Sequence, residues 1–200
     1  EGRRAHFTLA FFSPAAEPGK RMGPNAVPRL QAEMQKRGIA THLGHKLKAI
    51  GASRVETEGG DIAADLTLFM PGLTGPAWLE GSGLPRSPGG FVQADQHCRV
   101  PGVAGVYVAG DAGSYPGPDW LPKQAHMADA QAVAAARNLL ADMAGKPGEH
   151  GFTPELACIV DTLDNGILVY RSPKRAFLFK SVAMHWSKRF FERHYLAQYR

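Results

Sequence analysis

The run Val106-Tyr107-Val108-Ala109-Gly110-Asp111-Ala112, with a Pro-rich loop behind it and an Ala-rich segment at residues 123–144, decides how this chain is read. Residues 106–109 have the β-branched and aromatic composition of a buried strand. A strand ending in Gly-Asp-Ala carries the Asp111 carboxylate to the carboxyl edge of a sheet, where α/β folds receive ligands. Gly110 beside it lets backbone approach such a ligand closely. Alone, Asp and Gly are also ordinary turn residues. The next segment alters that balance. Residues 123–144 form the best helical pattern in the chain, with Ala125, Ala128, Ala132, Ala136, Leu139 and Met143 on one stripe and Gly145 and Pro147 at the stop. The first amides behind Pro122, those of Lys123, Gln124 and Ala125, are expected to be unsatisfied donors carrying roughly half a positive charge, suited to an anionic or polarised oxygen.

Working outward, residues 71–90 are rich in Gly and Pro and read as a crossing between domains. Ahead of them, residues 6–12 read as a strand. Asn25 then caps a helix carrying Val27, Leu30 and Met34 and stopped at Gly38. Residues 39–43, 46–50, 54–57 and 66–70 are strand candidates of a β-meander, with Gly59-Gly60-Asp61 as a hairpin turn. Residues 91–94 are a further strand. Downstream, Cys158-Ile159-Val160 and residues 167–170 flank Asn165-Gly166, a hairpin signal. In the last twenty residues Val182, Trp186, Phe190, Phe191, Tyr195 and Tyr199 line one side while Lys188, Arg189, Glu192 and Arg193 line the other. That is an amphipathic basic helix, and its apolar side must be covered by something. The fold class is α/β.

With 200 residues, 44% of them hydrophobic, 20% charged and 9% aromatic, the chain has the composition of a soluble globular protein of one or two domains. No apolar run approaches the ~18–20 residues of a membrane span. It opens Glu1-Gly2-Arg3-Arg4, without Met and without an apolar leader, which reads as no signal peptide and as a piece of a longer polypeptide. Cys98 and Cys158 lack metal-ligand or disulfide-scaffold spacing, so no metal site and a reducing, cytoplasmic compartment are expected. The net charge of +5 invites a nucleic-acid reading. Yet eight of the 23 Lys and Arg lie from Arg171 onward, against Glu192 alone, with no recognition motif beside them. Nucleic acid is therefore not an expected partner.

The order of strand, Gly110-Asp111-Ala112, Pro-rich loop and Ala-rich helix resembles the carboxyl-terminal, flavin-contacting segment of flavoproteins with two dinucleotide-binding domains. The resemblance narrows at Leu121-Pro122-Lys123, at Leu156-Ala157-Cys158-Ile159-Val160-Asp161, at Asn165-Gly166 and at His185-Trp186-Ser187-Lys188-Arg189-Phe190-Phe191-Glu192-Arg193-His194-Tyr195-Leu196. These are similar to sulfide:quinone oxidoreductases and flavocytochrome c sulfide dehydrogenases, FAD-dependent members of the pyridine nucleotide-disulfide oxidoreductases. The resemblance implies a partial FAD/NAD(P)-binding three-layer fold with a β-meander and a C-terminal amphipathic helix. Residues 1–75 would be the remnant of an NAD-type domain, 76–150 the last part of an FAD-binding domain, and 151–200 a hairpin with a basic aromatic membrane, quinone or interface segment. It implies that Asp111, with Gly110 and Ala112, bonds the ribityl chain of FAD, and that the Lys123, Gln124 and Ala125 amides face the flavin edge. Cys158 would hold sulfur near the flavin. Trp186, Phe190, Phe191 and Tyr195 would serve quinone and a membrane surface, the protein lying peripherally on its inner face. Sulfide would be the reductant. The GxGxxG phosphate cradle is missing, since Gly72-Leu73-Thr74-Gly75 has neither its spacing nor a helix behind it, so this piece alone should not hold FAD firmly.

Alternatives remain open at this level. Cys158, flanked by apolar residues, is equally a small buried hydrophobe. A reactive thiolate would need its pKa lowered from ~8.5, by the helix start or by Lys123. Cys98 is a poor second redox cysteine and reads as structural. The tail helix could pack on its own domain or on a twin subunit in a homodimer. His126, His185 and His194 lack local carboxylate partners and are not assigned as general bases. A type II NADH:quinone oxidoreductase-like enzyme, using NAD(P)H with Cys158 idle, is the rival within enzymes. A flavin-free interaction module is the rival outside them.

Overall fold

The computed structural model describes residues 3–197 and divides into two units, Glu1–Pro71 with Phe177–Phe179, and Gly72–Ala176 with Lys180–Arg200. Glu1, Gly2, Gln198, Tyr199 and Arg200 lie outside the described residues, Tyr199 of the expected aromatic stripe among them.

In the first unit β1 (Leu9–Ser13) leads through α1 (Ala26–Lys36) to β2 (Ile39–Leu43), which pairs parallel with β1 from Leu9 opposite Ile39 to Ser13 opposite Leu43. Pro28 sits in the first turn of α1, where its missing N–H forfeits no helical bond. Gly38 (φ +61°) ends the helix in the left-handed region that glycine tolerates. Residues 39–43 therefore complete a βαβ unit and are not part of the meander expected there. The meander is β3 (Leu47–Ile50), β4 (Arg54–Thr57) and β5 (Gly60–Ala63), all antiparallel, with Val55 and Thr57 buried on the central strand. Its turn is closed by the Thr57 hydroxyl, which donates to the Gly60 carbonyl at 2.8 Å and accepts from the Gly59 amide at 3.2 Å. The strand expected at residues 66–70 is not one. Composition there favours a strand, but a strand needs a backbone partner, and the segment runs unpaired with Leu66 77% and Met70 90% exposed while Phe69 stacks on Phe12.

In the second unit β6 (Val92–Gln93) pairs parallel with β7 (Gly113–Ser114), beside a core of Leu79, Val92 and Val100 packed by Val103, Val106 and Val108. Residues 106–109 do not make the strand expected of them. They pair only with the neighbouring 98–100 segment, through Val100 N to Val106 O and Val108 N to Cys98 O, both 3.0 Å, and one bridge between Arg99 and Tyr107. The turn 95–99 is too tight for a ladder: Asp95 Oδ1 accepts from the His97 and Arg99 amides, and Cys98 takes φ +65°.

The long helix α2 (Ala125–Met143) buries Met127, Gln131, Ala134 and Asn138. The expected stripe is turned outward instead, with Ala125, Ala132, Ala136, Leu139 and Met143 exposed. Hydrogen bonds choose the inward face: Asn138 donates to the carbonyls of His97 and His150 and accepts from the His150 amide, all within 2.9 Å. Buried loop backbone requires such partners. Arg99 and Tyr107 converge on Asp142 at the far end of the helix.

The chain closes with β8 (Leu156–Asp161), β9 (Gly166–Arg171), β10 (Ala176–Ser181) and α3 (Val182–Ala197), the strands in sheet order β10-β9-β8. β10 was not foreseen, although Ser172-Pro173 ahead of it are turn-forming residues and Ser172 N donates to Arg175 O at 2.7 Å. The β8–β9 hairpin has Cys158 opposite Val169 and Asp161 opposite Gly166. Asn165-Gly166 is thus not a two-residue turn. The loop spans residues 162–165, its positive φ falls at Leu163 (+71°), and Gly166 is buried within the ladder. The glycine serves packing: a Cβ there would lie 2.7 Å from the His185 amide nitrogen and 2.8 Å from Met184 Cβ, in the first turn of α3. His185 Nδ1 meets Asp161 Oδ1 at 3.1 Å on the same seam. Gly166→Ala is expected to lower the unfolding free energy by about 1–3 kcal/mol in urea titration, as backbone yields to the added methyl; an unchanged midpoint would show that α3 is not held at this glycine.

Candidate functional site

Residues 110–112 form a single 3-10 turn in which Gly110 takes φ +73° and a Cβ on it would lie 3.3 Å from Ala128 Cβ. Glycine is required twice over, for the left-handed backbone and for the close approach to α2. The backbone of this turn is bonded by side chains from outside it. Gly110 N donates to Gln131 Oε1 at 2.9 Å, Tyr115 Oη donates to the Val108 carbonyl at 3.1 Å, and Lys123 Nζ donates to the carbonyls of Asp111 and Gly113, each at 2.7 Å. The Lys123 ammonium also lies 4.0 Å over the Phe91 ring. Burial pushes the Tyr115 phenol well above its ordinary range, which keeps it a hydrogen donor. With its backbone held this way, the Asp111 carboxylate is exposed.

Gly110, Asp111, Ala112, Lys123, Gln124 and Ala125 are brought together, with a shift in roles. Lys123 and Gln124 precede the helix, and Gln124 is its extended N-cap residue (φ −144°, ψ 154°). The amides lacking a helical partner are those of Ala125, His126 and Met127, since Ala128 N already bonds the Gln124 carbonyl at 3.0 Å. Lys123 reaches the turn with its ammonium instead of its amide. Gln124 Oε1 is buried without a hydrogen-bond partner among the described residues. A buried orphan acceptor is costly and marks a place where a donor from elsewhere belongs.

Cys158 sits on β8, half-buried, and burial pushes its thiol up from the ordinary value. That is opposite to the depression a standing thiolate needs. Cys98 is fully buried, with its thiol pushed up to about 11 by burial and by Asp95, consistent with a structural role. On α3, Trp186 (60%), Phe190 (74%) and Phe191 (61%) are exposed, and Arg189 lies 5.5 Å from the Trp186 ring centre. Tyr195 departs from that face. It is half-buried, stacks on Phe191 and donates to Asp129 Oδ2 on α2 at 3.4 Å. Phe177 and Phe179 on β10 are also exposed, and no sequence signal marked them. Gln131 and Tyr115 were also missed, because nothing local marks a glutamine or a tyrosine that bonds a loop 5 to 21 residues away. No group of three or more His, Cys, Asp or Glu able to hold a metal occurs among the described residues.

Gln131→Leu keeps the volume of the buried side chain and strands the Gly110 amide. It is expected to cost about 1–3 kcal/mol in denaturant melts, and equal stability would show that water replaces the bond.

The family model for pyridine nucleotide-disulphide oxidoreductases matches residues 13–132. Among solved structures, the chain is similar to the sulfide:quinone oxidoreductase of Aquifex aeolicus (TM-score 0.88, 21% identity), over 98% of this chain and 51% of that one. It is similar also to the water-forming NADH oxidase of Lactobacillus brevis (TM-score 0.60, 14% identity, 82% and 37%) and to an NAD-dependent persulfide reductase of A. fulgidus (TM-score 0.59, 14% identity, 81% and 31%). The chain thus spans about half the length of the sulfide:quinone oxidoreductase it matches. At these identities the likeness speaks for the fold, a partial dinucleotide-binding α/β architecture. The clamped glycine turn against the start of a long helix and the match across residues 13–132 agree: the chain belongs to the pyridine nucleotide-disulphide oxidoreductase family.

Proposed function

We propose that this chain is the carboxyl-terminal portion of an FAD-dependent oxidoreductase of the sulfide:quinone oxidoreductase type. The observation that carries the cofactor is the Gly110-Asp111-Ala112 turn, braced by Lys123, Gln131 and Tyr115 beside the orphaned Gln124 Oε1. The residues fit the group: an exposed carboxylate can accept from a ribityl hydroxyl, Gln124 Oε1 from a ring N–H, and the Ala125, His126 and Met127 amides can donate to a ring carbonyl. Bound there, FAD supplies a two-electron acceptor that can release electrons one at a time. The helix start favours negative charge at its end by roughly 0.3–1 kcal/mol or more when partly buried. Lys123 keeps the turn closed, so Asp111 is presented without reorganisation. Cys158 would take up sulfur from sulfide as a persulfide, an S–S bond formation that releases two electrons and two protons, for which bound FAD would be the acceptor. Its thiol must lose a proton first, and its half-buried setting makes that loss harder until a base or a bound cofactor changes its surroundings.

The likeness to sulfide:quinone oxidoreductase runs over 98% of the chain, against 82% for the NADH oxidase, which supports the quinone reading at the level of fold. Two observations favour a second reading, an NADH-oxidising enzyme of type II quinone reductase kind: the parallel β1-α1-β2 unit suited to a dinucleotide, and the raised thiol of Cys158. For the acceptor side, no described helix is long and apolar enough to cross a membrane. α3 instead offers Trp186, Phe190 and Phe191 with Arg189 and Arg193 nearby in sequence, suited to lying on an anionic lipid surface and meeting quinone there.

The full-length protein is expected to be yellow, its flavin absorbance bleached by sulfide and the bleaching abolished by Cys158→Ala. Bleaching by NADH alone promotes the second reading, and a colourless protein sinks both in favour of an interaction module. Replacing Trp186, Phe190 and Phe191 by serine should weaken co-sedimentation with phosphatidylserine vesicles by about tenfold or more; equal sedimentation would remove the membrane role from α3.

A further inference from the structure

The His126 side chain has no role in the site just described, yet it stands between two of its parts. It lies in the first turn of α2, among the unpaired amides, and its Nε2 is 3.1 Å from the carbonyl oxygen of Glu155. A carbonyl only accepts, so Nε2 carries the hydrogen in this contact. Glu155 is the residue that enters β8. Its side chain is held in turn, Tyr170 Oη on β9 donating to Glu155 Oε2 at 3.0 Å. From Glu155 to Cys158 is three residues, roughly 10 Å along a strand. β8 is paired with β9 across its whole length, so it moves as a unit.

We infer that His126 is a positioning residue: its Nε2–H bond to Glu155 sets the distance between the thiol strand bearing Cys158 and the start of α2. The inference rests on the proposed function, because that distance matters to chemistry only if the helix start faces the cofactor and Cys158 meets it. The physical need is strict. Reacting atoms must be held about 3–3.5 Å apart, and a misplacement of 1 Å can cost on the order of a hundredfold in rate. A direct bond between the two elements restrains that distance, and the half-buried imidazole supplies one. The Tyr170 hydroxyl holds the Glu155 carboxylate at 3.0 Å, a further tie on the residue that receives the His126 bond. Further along, Tyr195 on α3 reaches Asp129 one helical turn past His126, a second tie from the C-terminal segment to the same end of α2.

The test compares His126→Ala with His126→Gln, whose Nε2 can place an N–H near the same carbonyl, in the full-length protein. Two measurements are made: iodoacetamide alkylation of Cys158 in flavin-stripped protein, and kcat and KM for sulfide in the flavin-loaded enzyme. His126→Ala should change the alkylation rate by at least about threefold and lower kcat by about tenfold or more with KM nearly unchanged; His126→Gln should restore both to within about twofold. If the alanine variant does not fold, His126→Asn, too short to reach the carbonyl, takes its place. An alkylation rate untouched by both variants, or equal loss in Ala and Gln, overturns the inference. Failure of the wild-type protein to hold flavin would instead overturn the proposed function, and the alkylation comparison would still decide the role of His126.

Discussion

A half-buried turn that packs a glycine against a helix must still satisfy its amides and carbonyls, and that constraint shapes the second unit of this protein. The turn packs against α2 closely enough that a Cβ at Gly110 would lie 3.3 Å from Ala128 Cβ. Gln131, Tyr115 and Lys123 supply the partners. One consequence is geometric: the Asp111 carboxylate projects from a turn whose backbone has little freedom left. Another is electrostatic, because the Lys123 charge is spent on two carbonyls and a ring face.

The same rule explains why α2 turns Gln131 and Asn138 inward. Gln131 and Asn138 lie on the buried face together with Met127 and Ala134, and each amide satisfies loop backbone. Ala125, Ala132, Ala136, Leu139 and Leu140 then face out. Burial of an alanine methyl is worth little, while an unbonded backbone amide costs about 1–3 kcal/mol, so the hydrogen bonds decide the rotation of the helix.

At the C-terminal end a glycine again admits a neighbour, here the first turn of α3 against Gly166. The helix that docks there keeps Trp186, Phe190 and Phe191 outside. Its inner side is fixed by polar contacts, His185 with Asp161 and Tyr195 with Asp129. Polar registration of one side leaves the aromatic side available for a surface that is itself apolar.

Read alone, the sequence determined the existence and type of its strongest elements: α1, α2, the β8–β9 pair and α3 each carry a period or a stop signal written within a few residues. It also determined that Asp111 would follow a glycine at the foot of α2, because the motif is contiguous. Tertiary structure decided what depends on partners distant in the chain. Residues 66–70 have strand composition but no strand, for want of a neighbour, and 106–109 pair only locally. Gly166 looked like a turn residue and proved to be a packing glycine. Which face of α2 is buried, which amides stand free, and that His126 reaches Glu155 are set by hydrogen bonds between segments far apart in sequence. No local propensity encodes them; the physical reason is that backbone groups removed from water must be satisfied by whatever side chain the fold brings near.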